Sequence, residues 1–286
     1  MNTRGPVYLS ARLLVVPGVA LVAFVFLAPF LLLVAMSFWS QPAGSLLIDP
    51  TPTLKNYERI FSDAYYLRGL SRTLWLSTAT VALSLILGFP VAFWIVRRAG
   101  RLRRLVTALM LLPMVCGALL PTLGLVNLLS PLGIINGTLK ELGLIDKAIP
   151  LLGTQTGILI GLVQAFLPLM VLPLMAVLDR LPHSLEEAAM SLGARPVQVW
   201  WRIVFPLAAP GVLAGSVLVF CAALTSFVTP QILGQGKIAT FAAMTWQQAS
   251  LVLDWPFAAA LAMVMLGLMV GLGALMLALS RVGRSE

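Results

Sequence analysis

Six stretches of this chain run for at least 22 residues without a single Lys, Arg, Asp or Glu: Leu13–Trp39, Leu74–Val96, Leu105–Leu129, Gly157–Leu178, Leu207–Thr229 and Phe257–Leu279. A helix of about 20 apolar residues crosses the hydrocarbon core of a bilayer. An ionised side chain at a helix centre costs about 2.5–3.5 kcal/mol on insertion scales, so uninterrupted runs suit burial in lipid or against other helices. A transmembrane barrel would instead show alternating segments of about 10 residues, and none is seen. The pattern predicts an all-α membrane protein with six transmembrane helices. The first run exceeds a signal-peptide core of about 7–15 residues and no A-x-A-like site follows it, so it is expected to stay as a helix.

Composition agrees. Of 286 residues 60% are hydrophobic and 10% charged, against about 25% charged in soluble domains. That excludes an ordinary soluble enzyme, a disulfide scaffold and a disordered tail. Cys116 and Cys221 both lie in apolar runs and suggest no bridge. The net charge of +9 comes without a basic patch interleaved with aromatics, so nucleic acid is not an expected partner. Twelve of the nineteen basic residues fall on segments sharing a side with the N-terminus, five of them between Arg97 and Arg104. The positive-inside bias then puts both termini in the cytoplasm, and the five-arginine loop reads as an orientation signal.

Pro90, Pro113, Pro121, Pro168 and Pro173 interrupt the spans, and such breaks persist in a membrane where neighbours or a cavity re-satisfy the backbone. The pairs Gly157/Gly161, Gly211/Gly215 and Gly267/Gly271 are spaced for close helix approach.

The connection between the fourth and fifth runs is the most informative segment. Ser184 and Glu187 have capping-box spacing, and Leu185, Ala188, Ala189 and Leu192 form one apolar stripe. Gly193 is placed as a left-handed terminator, and Pro196 suits the first turn of a second helix that carries Trp200, Ile203, Val204 and Leu207 at helical spacing. An amphipathic helix of about eight residues is marginal alone. Its stripe needs a cover: lipid headgroups, the protein's own helices, or a partner protein.

The order Glu187-Ala188-Ala189, three residues, Gly193, nine residues, Ile203-Val204-Phe205-Pro206 resembles the EAA loop of permease subunits of binding-protein-dependent ABC importers, E-A-A-x3-G-x9-I-x-L-P. Phe205, where leucine is usual, is the one departure. The resemblance implies a type I ABC importer permease fold and a coupling helix that docks on a cytoplasmic ATPase. On it, Glu187 pairs with a basic group of the ATPase, Ala188 and Ala189 allow close approach, Gly193 makes the turn, and Ile203 and Pro206 anchor the second helix. The implied domains are 1–71 (N-terminal tail, first helix and periplasmic loop), 72–280 (importer transmembrane domain, with the EAA loop at 181–206) and 281–286 (cytoplasmic tail). The implied partners are a second permease, two ATPase subunits and a periplasmic substrate-binding protein in a bacterial inner membrane. Looser similarity, in Ser226–Gly234 with Gly236-Lys237 and in Tyr65–Leu74, is to spermidine/putrescine permeases. Permeases for aminoethylphosphonate, opines, thiamine and ferric iron share parts of it.

No catalytic set accompanies these features. Gly236-Lys237 is the nearest approach to a phosphate-binding loop, but Gln231 stands where its first glycine belongs and Ile238 follows the lysine. The chain is expected to bind no cofactor and no metal, with ATP and Mg used by the partner ATPase. His183 reads as an ordinary loop residue. Asn127, Gln164, Thr225, Ser226 and Asp254 are candidates to line a path, beside Ser77, Thr78, Thr80 and Ser84, whose bland reading is helix packing. A secondary transporter driven by an ion gradient is the main rival; inverted repeats and intramembrane acids would mark it, and neither is visible.

Overall fold

In the computed structural model, residues 7–42, 45 and 47–282 are described, with side chains from residue 16 to residue 275. The expected tail 281–286 falls outside the described residues from position 283. The helices are α1 (Val7–Ser37), α2 (Lys55–Ser62), α3 (Ala64–Arg97), α4 (Arg103–Val115), α5 (Leu119–Leu129), α6 (Ile134–Glu141), α7 (Gln155–Leu178), α8 (Ser184–Ser191), α9 (Pro196–Val199), α10 (Phe205–Leu207), α11 (Ala209–Thr225), α12 (Val228–Leu233), α13 (Phe241–Gln247) and α14 (Trp255–Val282). A π-turn at Trp200–Val204 joins α9 to α10, and a second at Gln248–Val252 follows α13. The described residues contain no strand; one isolated bridge pairs Ser40 with Asp49.

Five helical stretches are long and apolar enough to cross a membrane, and the bent pair Pro196–Leu207 and Ala209–Thr225 makes a sixth if counted as one span. Two of the six expected runs are broken. Leu105–Leu129 divides into α4 and α5 at Gly117, which takes φ +74°, and Leu207–Thr229 ends its helix at Thr225, with Ser226 extended. Each break lies four residues before a proline, Pro121 and Pro230, whose ring removes the hydrogen bond to that carbonyl and crowds it. The 67° bend at Ala208 instead lies two residues before Pro210, whose ring leaves the Pro206 carbonyl without its helical hydrogen bond.

The chain forms two compact units, one of residues 1–63 and 245–264, the other of residues 64–244 and 265–286. In the first, Asn56 donates to the carbonyls of Ser37 and Trp39 at 3.0 and 2.8 Å. Arg59 pairs with Asp254 at 3.4 Å and lies over the Phe257 ring.

In the second unit α3, α7 and α11 pack on one another most extensively. Phe89, Ala92, Ile95, Met170, Leu174 and Val219 are at the centre of their core. Gly215 makes one of these crossings possible: a β-carbon there would sit 2.7 Å from Met170 Sδ and 3.1 Å from its carbonyl oxygen. Gly211 and Gly161 are close to neighbouring helices in the same way, whereas Gly157, expected to pair with Gly161, lies against the Leu151 carbonyl of the preceding loop. Gly267 and Gly271 face open space among the described residues, so that third pair brings none of the described helices close.

Candidate coupling loop

The segment after α7 is built as the sequence predicts, helix, glycine turn, helix, with one correction at its start. The N-cap of α8 is His183, not Ser184, and no side chain caps it. His183 is already in the helical region, so its own carbonyl accepts the Glu187 N–H at 3.2 Å and the Ser184–Glu187 capping box does not form; a side-chain cap needs an extended N-cap residue. Gly193 takes φ +87° and ends α8. Arg195 is extended, Pro196 occupies the first turn of α9, and Gln198 Oε1 accepts the Arg195 N–H at 2.9 Å.

This segment is fastened to the ends of α3 and α4. Arg97, the last residue of α3, donates from Nε to Glu186 Oε1 at 2.9 Å and from Nη2 to the Leu181 carbonyl at 3.0 Å. The two side chains are only 7% and 15% exposed. Arg103 holds the Asp179 carboxylate bidentately, a half-exposed pair that raises the arginine's pKa still further. Two of the five arginines read as orientation signals therefore also anchor the loop. Sequence reasoning missed Arg97, Arg103, Asp179 and Glu186. The carboxylate next to Glu187 was the available clue, but 89 and 76 residues separate the partners.

Below the anchor, the α9–α10 segment sinks into the core. Val199 and Val204 are buried and Ile203 packs against the same cluster, whereas Pro206 is exposed. The Phe89 ring meets Trp200 edge-on at 4.9 Å and Phe205 at 5.3 Å, so the residue that departs from the EAA pattern is part of an aromatic cluster.

The stripe on α8 stays largely bare. Leu185 is 42% and Leu192 89% exposed; Ala188 is exposed and only Ala189 packs on the core. The chain's own described helices therefore do not supply the cover. Glu187 is exposed as well.

The path candidates are scattered. Asn127 is exposed on α5 and its amide bonds to the Leu123 carbonyl; Gln164 is half-buried on α7. Thr225 bonds to its own helix at Cys221 O and Ser226 is the residue after α11. Asp254 pairs with Arg59 and accepts the Phe257 N–H at 3.2 Å as the cap of α14. Ser77, Thr80 and Ser84 are buried on α3; Thr80 donates to Leu76 O, while the hydroxyls of Ser77 and Ser84 find no partner among the described residues.

Comparison with known proteins decides the family. Residues 84–282 match the family described as binding-protein-dependent transport system inner membrane component. The chain belongs to that family. The spermidine/putrescine transport system permease protein PotB of Escherichia coli (strain K12) is 34% identical over 253 residues, 87% of this chain and 91% of that protein. The inner membrane ABC transporter permease protein YdcU of the same strain is 31% identical, over 84% of this chain and 80% of that one. Among solved structures, a bacterial ABC transporter involved in import of the acidic polysaccharide alginate superposes with a TM-score of 0.70 at 20% identity, covering 94% of both chains. This chain is thus an ABC importer permease subunit, a transport component and not an enzyme, with the fold of the type I importer permeases.

Proposed function

We propose that this permease forms half of the translocation pathway of a bacterial inner-membrane importer for a polyamine, spermidine or putrescine, or a related amine. The observation that carries the substrate class is the 34% identity to PotB along 87% of the chain. Selectivity then resides chiefly in a periplasmic binding protein, since the candidate path residues other than Asp254 are uncharged.

The loop 181–206, with Glu187, Ala188, Ala189, Gly193, Ile203 and Pro206, is the coupling element, on the cytoplasmic side together with both termini. Its uncovered stripe and exposed Glu187 support docking on an ATPase. One loop serves one ATPase, so the working assembly contains a second, homologous permease, two ATPase copies that use ATP and Mg, and the binding protein. ATPase closure displaces α8 and rocks the two permeases from inward- to outward-facing, and the docked receptor releases its solute into the opened cavity.

The test is reconstitution of the assembly in proteoliposomes with labelled spermidine and putrescine. Uptake should require ATP and the binding protein and survive a collapsed proton gradient. Uptake driven by the gradient alone overturns the mechanism. A binding protein that holds neither amine but binds another solute overturns the substrate class.

A further inference from the structure

We infer that Arg97 and Glu186 form a pin through which displacement of α8 is passed to α3, which makes them positioning residues for energy coupling. The inference rests on the coupling role proposed for α8. A loop joined to the membrane helices only through its covalent ends would pull on α7 and α11. Here the first turn of α8 is also held to α3, by an ion pair with both side chains at most 15% exposed. The same guanidinium fixes the Leu181 carbonyl at the loop's entrance. Low local dielectric strengthens such a network, and opening it strands a charge.

Other connections are weaker. A cavity of about 550 Å³ opens beside α8, lined by Phe93, Arg98, Glu186, Met190, Trp200 and Trp201 among others, and the helix packs mainly on α9 and the π-turn that follow it, with Ala189 against the core. The Arg103–Asp179 pair is 40% and 37% exposed, and water and salt weaken pairs of that kind.

In its third turn, toward the other end, α3 is tied again. Arg72 Nη1 donates to the Ala239 carbonyl at 3.2 Å, and Thr73 Oγ1 accepts the Phe241 N–H at 2.8 Å. The 24-residue step from Thr73 to Arg97 at 1.5 Å each puts the two ties about 36 Å apart. Motion entering at Glu186 therefore reaches the 239–241 segment through one helix tied at these two points, the kind of contiguous network that carries coupling between distant sites.

The experiment uses the complete transporter in proteoliposomes, with Cys116→Ser and Cys221→Ser as background. Arg97→Glu and Glu186→Arg are each expected to lower uptake about tenfold or more while the ATPase stays bound, because each leaves a like-charged buried pair. The double reversal R97E/E186R should return uptake to within about threefold of the background, as a direct pairwise coupling requires. In a second measurement, R97C/E186C joined by a short thiol-specific linker should transport, and the same pair left unlinked should not. Single reversals with unchanged uptake, a double no better than the singles, or an inactive linked pair would each overturn the pin. A background transporter that imports without any ATPase would overturn the coupling role itself, so the two ideas fail separately.

Discussion

Glu186 and Glu187 are adjacent in sequence, about 100° apart around α8, and meet opposite environments. Glu186 is nearly buried against Arg97, and Glu187 faces outward. Glu186→Ala should strand the guanidinium and destabilise the subunit by about 3–5 kcal/mol, read as a lowered thermal midpoint in detergent. Glu187→Ala should leave that midpoint unchanged and reduce uptake and ATPase co-purification. The opposite sign is expected at Ser77 and Ser84. Their buried hydroxyls lack partners, a state that costs about 1–3 kcal/mol each, so Ser84→Ala should raise the midpoint. At the aromatic cluster, Phe205→Leu restores the usual EAA residue yet removes ring contacts worth about 0.5–1.5 kcal/mol, and a lowered midpoint checks it.

At the level of elements, proline governs where the long runs divide. Pro90, Pro168 and Pro173 are absorbed within continuous helices, while Pro121 and Pro230 coincide with breaks four residues earlier. The sequence made the apolar runs legible because missing charges are visible one residue at a time. It could not separate an absorbed proline from a breaking one, which depends on what neighbouring helices offer the freed carbonyl. The same limit explains the loop. Its helix-turn-helix order was legible from Gly193 and Pro196, whereas the absent capping box turns on the backbone angle of His183, and the Arg97–Glu186 and Arg103–Asp179 anchors join residues far apart in the chain. Gly193 sits at φ +87° with open space around it. Gly193→Ala therefore pays only the left-handed penalty, roughly 1–2 kcal/mol, and should keep partial uptake. Gly193→Pro, whose ring fixes a negative φ, should abolish uptake without blocking membrane insertion.

For the whole molecule, the five-arginine loop has two separable duties. Arg97 and Arg103 hold the segment after α7, and on the proposed orientation Arg98, Arg101 and Arg104 supply the charge asymmetry. Replacing those last three with Gln should weaken orientation, seen with reporter fusions at both termini, while correctly inserted molecules keep the loop attached and import solute. The distribution of path candidates has a counterpart at this scale: under the proposed function, with so few charges among the candidate path residues, exchanging receptors should redirect transport more than any path substitution.

The bare flank of α8 also bears on the life of the subunit in the cell. If α8 docks on an ATPase as proposed, a copy made in excess of that partner would display Leu185 and Leu192 to the surrounding water, and exposed apolar surface of this kind invites aggregation. Deleting the ATPase should therefore shorten the half-life of the permease in a pulse-chase experiment, and balanced synthesis of the two becomes a condition for keeping the permease.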